Sequence, residues 1–455
     1  MKTGKKRDFS QGSVWGNILR MAIPMILAQL INLLYNVVDR IYIGHIPGAD
    51  ALAMTGVGLT LPVVSILAAF ANLFGMGGAP LFSMSWGAGD EKHAQKIMGN
   101  AFSMLLGTGV VLGVACYLLR RPVLYLFGAS DVTYPFADDY LTVYLMGTLF
   151  VMISQGMNYF INAQGFGVIG MLTVSIGAVI NLILDPILIF SMELGVKGAA
   201  VATVIAQGIS AAWALWFLTG KRAVIPISRE SMKLSCRIVW ETVCLGMSGF
   251  VMQITNSVAQ IMGNVMLQLW GGDLYVGIMT VINSVREVMT MPLMGLANGA
   301  KPVMSFNYGA KQFDRVKSAI RFITVVCILL SVGVWALLFF CPRFFMELFN
   351  DDPALIEMGI PAMRLYFSGI FMMSLQFAGQ ATFTALGCAR HAVFFSTFRK
   401  VAIVAPLSVL LPSLWGLGTD GVFLAEPVSN YVGGIACYLT MMIVVRKKLQ
   451  QEKTA

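Results

Sequence analysis

Charge is what this 455-residue chain has least of. Lys, Arg, Asp and Glu make up 12% of it, about half the share of a soluble domain. So little charge cannot clothe a water-facing surface, which excludes a soluble enzyme or a disordered chain. Histidine is reduced to His45, His93 and His391, scattered over loops or loop edges, and a metal site is not expected. The seven cysteines (Cys116, Cys236, Cys244, Cys327, Cys341, Cys388 and Cys437) contain no CxxC spacing. Most fall in apolar runs and read as packing residues, not as disulfides or metal ligands. There is no P-loop (GxxxxGKS/T), no HExxH, no GxSxG and no GxGxxG after a strand. Those gaps argue against ATP hydrolysis by this chain and against a hydrolase or a dinucleotide enzyme. The chain is not expected to be an enzyme, and no cofactor is implied.

What is abundant is apolar. Hydrophobic residues account for 57% of the chain, and the mean hydropathy is +0.77. Twelve apolar runs are long enough to cross a bilayer as helices. They cover 15–43, 52–79, 94–119, 138–164, 170–192 and 197–219, then 240–269, 274–304, 318–341, 360–386, 392–415 and 419–445. Period-2 alternation is missing, which excludes a membrane β-barrel. The expected fold is an all-α integral membrane protein. The net charge of +9 then concerns membrane orientation rather than nucleic acid. With the N-terminus inside, 24 Lys and Arg fall on cytoplasmic segments and five on outside loops. The inside set includes Lys2, Lys5, Lys6, Arg7, Arg390, Arg399 and Lys400. Both termini are expected in the cytoplasm of a multi-pass cell-membrane protein. The first run follows a basic start but is too long for a signal peptide and lacks a small-residue cleavage site, so it is expected to be retained.

The basic stretch GKRAVIPISRESMKLSCRI (220–238) divides the chain near its middle. It predicts an N-terminal lobe over 1–220, a cytoplasmic linker over 221–238 and a C-terminal lobe over 239–455. The two halves also align on one another. At offset 222, Pro80, Ser83, Gly87 and Ala88 fall on Pro302, Ser305, Gly309 and Ala310. Phe127, Tyr144, Gly147, Ala163 and Gly165 fall on Phe349, Tyr366, Gly369, Ala385 and Gly387. At offset 224, Gln29, Asn32 and Gly48 fall on Gln253, Asn256 and Gly272. At offset 223, Leu194, Gly195, Gly198 and Ala202 fall on Leu417, Gly418, Gly421 and Ala425. Six spans per half is even, so both halves cross in the same direction. The expectation is two six-helix lobes related by a pseudo-two-fold along the membrane normal, with a cavity between them, as in secondary transporters.

Acids inside the spans are Asp39, Asp185, Glu287 and Glu426. Intramembrane carboxylates are costly and are usually paired, hydrated or functional. The first run carries Gln29, Asn32, Asn36 and Asp39 on one helical face, a stripe that cannot face lipid. Tyr35 lies beside it. Further polar residues are Gln155, Asn158 and Asn162 on the fourth run, Asn181 and Asp185 on the fifth, Thr203 and Gln207 on the sixth. Together they suggest an oxygen-rich pocket in the first lobe, suited to a hard monovalent cation or a shared proton. Pro186, next to Asp185, frees a backbone carbonyl at that level. The seventh run keeps the stripe as Gln253, Asn256 and Gln260, but Gly263 stands in for Asp39 and Leu407 for Asp185. Ion coupling is therefore expected in the first lobe only. Glu426 aligns with Thr203 and suggests a separate protonation site. Glu287 beside Arg286 and Gln380 complete the candidate cavity residues.

The stretches VDRIYIG (38–44), GGAPLFSMSWGAGD (77–90), NLILDPILIF (181–190), LGVKGAAVAT (194–203) and KPVMSFNYGAKQFDRVKSA (301–319) resemble the MATE family, multidrug and toxic compound extrusion, in its bacterial branch. The likeness runs over essentially the whole chain. It implies an antiporter that expels small organic, mostly cationic and amphiphilic, substrates in exchange for Na+ or H+, by alternating access. Antibiotic and xenobiotic efflux are the implied roles. The family's first-lobe cation site carries over to Asp39, Asn181, Asp185 and Thr203. Some members also use acids on helices 7 and 10, and this chain has none in the middle of those helices. The alternative in the same superfamily is a flippase for a lipid-linked sugar or another amphiphile. The mostly acidic intramembrane charge favours cationic cargo over that reading. A monomer in contact with membrane lipids suffices, and no nucleic acid is involved.

Overall fold

The computed structural model describes residues 9–46, 50–349, 352–414 and 416–454. Lys2, Lys5, Lys6, Arg7 and Gly48, used above, lie outside them. The described residues form helices and no strands. The first helices are α1 (Val14–Ile43), α2 (Asp50–Gly87) and α3 (Glu91–Leu126), followed by α4 (Tyr134–Met146), α5 (Thr148–Ala163), α6 (Gly167–Pro186) and α7 (Gly195–Thr219). Then come α8 (Cys236–Gly309), α9 (Phe313–Phe340), α10 (Pro342–Phe349), α11 (Pro353–Phe367), α12 (Ile370–Ala385), α13 (Ala389–Thr397), α14 (Ala405–Ser413) and α15 (Thr419–Thr454).

Among the described residues, nine helical segments are individually long and apolar enough to span a bilayer, and the pairs α4–α5 and α11–α12 bring the number to 11. These pairs are bent by 59° and 42°, each at a glycine (Gly147 and Gly369) that breaks the expected single run. The 74 residues of α8 would measure about 110 Å as one straight helix, several bilayers thick. They are two helices meeting at Gly272, whose φ of 70° and ψ of −166° are open to glycine and strained for other residues. Counting them as two gives the twelve spans expected from the sequence. The protein is a multi-pass, all-helical membrane protein.

The chain folds as two compact units. One is built on Ile23–Gly246; the other joins Ser10–Ala22 to the chain from Met247 onward. The start of α1 belongs to the second unit. Trp15 stacks on Phe322 at 5.3 Å, and Arg315 donates to the Gly12 carbonyl at 2.9 Å. A Cβ on Gly299 would lie 2.6 Å from the Ala22 backbone, so only glycine lets these segments approach. The membership of α1 changes between Ala22 and Ile23, beside Pro24, which removes a helical hydrogen bond there.

In the first unit, α2 packs tightly against the start of α8. A Cβ on Gly77 would meet the Thr242 carbonyl at 2.0 Å, and one on Gly246 the Leu73 carbonyl at 1.9 Å. The basic stretch after α7 is anchored to the same unit. Buried Gln164 accepts from the amides of Val224 and Ile225 at 2.8 and 3.1 Å. Asn100 donates to the Ser231 and Lys233 carbonyls and accepts from the Ser235 amide at 2.7 Å.

The internal repeat is visible in detail within each unit. Ser83 Oγ donates to the Ala163 carbonyl, and Ser305 Oγ donates to the Ala385 carbonyl, both 222 residues on. Positive φ recurs at Gly165 and Gly387, at Gly89 and Lys311, and at Gly195 and Gly418. The two bent pairs occupy equivalent positions. Each unit also has a π-helical segment in this region, but at different places along the repeat: Ile187–Ser191 follows Pro186, whereas Phe398–Val404 follows α13 and matches residues 176–182 at offset 222.

Candidate functional site

The C-terminal end of α6 delivers Asn181 and Asp185 to one buried point, because residues four apart share a helix face. Their relative exposures are 1% and 0%. Thr203 on α7 meets them there: Asn181 Nδ2 donates to Thr203 Oγ1 at 3.2 Å, and Thr203 Oγ1 donates to the Ala199 carbonyl at 3.0 Å. Asp39, three turns from the middle of α1, brings its carboxyl against that of Asp185. The hydroxyls of Tyr35 and Tyr140 lie at Thr203. Tyr140 was not singled out from the sequence. The available signal was its spacing of four from Tyr144, on which it stacks at 5.9 Å.

The point is rich in acceptors and poor in donors. Asp39 Oδ1, Asn181 Oδ1 and both carboxylate oxygens of Asp185 are buried without a hydrogen-bond partner. Buried oxygens are normally satisfied, so each asks for an explanation. A monovalent cation or a proton supplies what all of them lack. Two facing carboxylates repel, and a cation or a shared proton between them removes the repulsion. Among the described residues no group of three or more His, Cys, Asp or Glu could hold a metal ion, so a Na+ here would rely on Asn and Thr oxygens beside two carboxylates.

The remaining first-lobe candidates do not join this point. Asn158 and Asn162 on α5 press against Gly170, where a Cβ would meet Asn162 Oδ1 at 2.2 Å. Gly170 lies 11 residues before Asn181, about 16 Å along α6. The single oxygen-rich pocket expected from the sequence is thus at least two clusters. Gln155 sits half-buried on α5, and Gln207 accepts from Ser154 at 2.6 Å. Gln29 is half-buried on α1, whereas Asn32 and Asn36 on the same helix are exposed.

The second unit holds a small cavity of about 30 Å³, and it corrects several expectations. Asn256, Gln260 and Gly263 line it, as do Arg286, Tyr366, Lys400 and Glu426. Arg399 and Lys400, counted above among cytoplasmic loop residues, are buried in the π-helical segment. Glu426 is no solitary protonation site: Lys400 Nζ donates to its two carboxylate oxygens at 3.0 and 2.9 Å, and Arg399 Nη1 donates at 2.9 Å. Arg399 also donates to Asn430 Oδ1 at 2.6 Å. Intramembrane charge is therefore mostly acidic in the first unit alone. Glu287 is exposed and outside the lining, as is Gln253. Gln380 is tied up with Ser396 at 3.0 Å. The lining uses Val404 and Ser408, which match Asn181 and Asp185 at offset 223, where the sequence alignment had placed Leu407. Neither replaces a carboxylate.

Comparison with known proteins agrees with this architecture. The family model MatE matches residues 24–187 and 249–410. The multidrug export protein MepA of Staphylococcus haemolyticus (strain JCSC1435) is 24% identical over 457 residues, covering 100% of this chain and 99% of the relative. MepA of Staphylococcus aureus (strain N315) is 24% identical over 452 residues, covering 98% and 96%. A crystal structure of MATE in the bent conformation superposes with a TM-score of 0.93 at 22% identity, covering 100% of both chains. An outward-facing multidrug resistance MATE family transporter of the MOP superfamily gives 0.91 at 22%, covering 98% of this chain and 99% of that one. The chain belongs to the MatE family. It is a membrane transporter and not an enzyme.

Proposed function

We propose that this protein is a multidrug efflux antiporter of the cell membrane, expelling organic cations in exchange for Na+ or H+. The observation that carries the reading is the set of buried, donorless oxygens contributed by Asp39, Asn181 and Asp185 beside Thr203. Both curated relatives described above are multidrug export proteins over their whole length, which supports efflux as the activity. In the proposed cycle, with both termini cytoplasmic, the cation enters from outside and relieves the repulsion between Asp39 and Asp185. Helix α1 then bends beside Pro24, where its packing changes from one unit to the other. Drug is released outward, and its binding from the cytoplasm favours the state with the ion site empty. Each ligand shifts the two states only by its differential affinity for them. A monomer is sufficient for this cycle.

The test is efflux of a fluorescent organic cation from vesicles under a Na+ gradient and, separately, a pH gradient. Transport driven by one gradient in the wild type and lost in Asp39→Asn is expected, and it names the ion. Transport under neither gradient by correctly inserted protein refutes coupling and moves the reading to a flippase for lipid-linked cargo.

A further inference from the structure

The second-unit cavity stands where the repeat places the first unit's cation site, yet its charge is of the opposite sign. Gly263 occupies the position of Asp39, Tyr366 that of Tyr144 and Glu426 that of Thr203. Around it are three basic side chains, Arg286, Arg399 and Lys400, and one internal carboxylate, Glu426. Arginine does not lose its proton in proteins, so two guanidinium groups outweigh one carboxylate whatever Lys400 does. Arg399 and Lys400 share Glu426 in direct ion pairs, whereas Arg286 makes no ion pair among the described residues and meets that carboxylate only at longer range. Its Nη1 donates to the Tyr366 hydroxyl at 3.1 Å, which leaves that hydroxyl's own proton free to point into the cavity. Glu287, next to Arg286 in sequence, is exposed and lies off the cavity wall. An uncompensated cation inside a membrane helix is costly and normally finds a counter-charge or water. Where the first unit gathers acceptors lacking donors, this one gathers three cationic side chains around a single carboxylate.

We propose that this cavity is an oxyanion-binding site, taking the phosphate, carboxylate or sulfonate head of an amphiphile between Arg286, Tyr366 and Lys400. The protein then handles anionic or zwitterionic amphiphiles as well as cations, with opposite charges recognised in opposite lobes. Guanidinium suits such heads because its N–H groups form parallel, charge-assisted bonds to two oxygens.

The experiment uses the full chain in phosphatidylcholine nanodiscs with no ion gradient, so its outcome does not depend on the efflux reading. Three probes share one tail: octyl phosphate, octanoate and octyltrimethylammonium. Arg286→Gln is expected to weaken both anions by about tenfold or more, the contribution of one hydrogen bond to a charged group, and to leave the ammonium probe unchanged. Gly263→Asp is the second variant. A Cβ there meets only Met279 Cε, at 3.7 Å, so the site has room for a side chain. The added carboxylate, in the place of Asp39, is expected to abolish anion binding even if Arg286→Gln does not fold. Octyl phosphate binding to Gly263→Asp as to wild type, or equal loss of all three probes, overturns the proposal. Nanodiscs containing phosphatidylglycerol separate the sources of the head group. Competition by that lipid supports the site and names a lipid headgroup as its occupant. Undiminished octyl phosphate binding supports it and names a soluble amphiphile.

Discussion

Glu426→Gln removes one carboxylate from between two buried cations and keeps the shape of the side chain. In the wild type, Glu426 receives three hydrogen bonds at 2.9 to 3.0 Å, two from Lys400 and one from Arg399. Its side chain is 7% exposed, and those of Lys400 and Arg399 are 4% and 10% exposed, so water does not screen the pairs as it does at a surface. Taking one partner out of a buried pair leaves an uncompensated charge and costs about 3–5 kcal/mol. The amide oxygen of Gln can still accept one bond, so the expected loss sits toward the lower end, about 3 kcal/mol. Exchanging Arg399, Lys400 and Glu426 together for methionine removes the charges as a set and is expected to recover most of that loss. The assay is the thermal unfolding midpoint in detergent, followed by tryptophan fluorescence, for wild type, single and triple variants. A Glu426→Gln midpoint equal to wild type refutes the reasoning, since it means that water or another group already neutralises Arg399 and Lys400. A triple variant as unstable as the single one refutes it equally.

Three further predictions rest on single contacts. Asp185→Asn is expected to abolish gradient-driven efflux without lowering the unfolding midpoint, because both of its oxygens lack donors in the fold; wild-type efflux at equal expression contradicts this. Ser305→Ala is expected to cost about 1 kcal/mol by loss of its 2.8 Å bond to Ala385. The equivalent Ser83→Ala should cost less, its bond being 3.4 Å, and thermal melts that rank the two the other way contradict the geometry. Gly77→Leu places a side chain against the Thr242 carbonyl at a distance no Cβ tolerates, and a sharp loss of folded protein in size-exclusion chromatography is expected; normal yield would show that α2 and α8 can separate at no cost.

Spans were legible because a bilayer imposes one length and one polarity on every helix. The breaks were less so. Gly147 and Gly369 look like any other small residue in an apolar run, and only the structure shows that the chain turns there. The point formed by Asn181, Asp185 and Thr203 was readable because helical spacing alone puts the first two on one face. The separation of Asn158 and Asn162 from it was not, since height along neighbouring helices is set by tertiary packing. Arg399 and Lys400 misled for a related reason. Basic residues near a span's end ordinarily reach for water, and their partner Glu426 lies 26 residues farther on in another helix.

The π-helical segment of the second unit bears on how two copies of one helix present different chemistry. Between Gly165 and Leu194 in the first half, and Gly387 and Leu417 in the second, the offset grows from 222 to 223, so the second copy is one residue longer. An extra residue in a regular helix turns everything beyond it by about 100°. A π turn takes up the addition locally and lets the helix resume. The second unit's π segment, Phe398–Val404, lies within the stretch where the offset grows, and it contains Arg399 and Lys400. Val404, its last residue, and Ser408, four residues on, return to the places of Asn181 and Asp185. A duplicated lobe can thus re-aim a residue pair by a single insertion, while the helix beyond it keeps its old register.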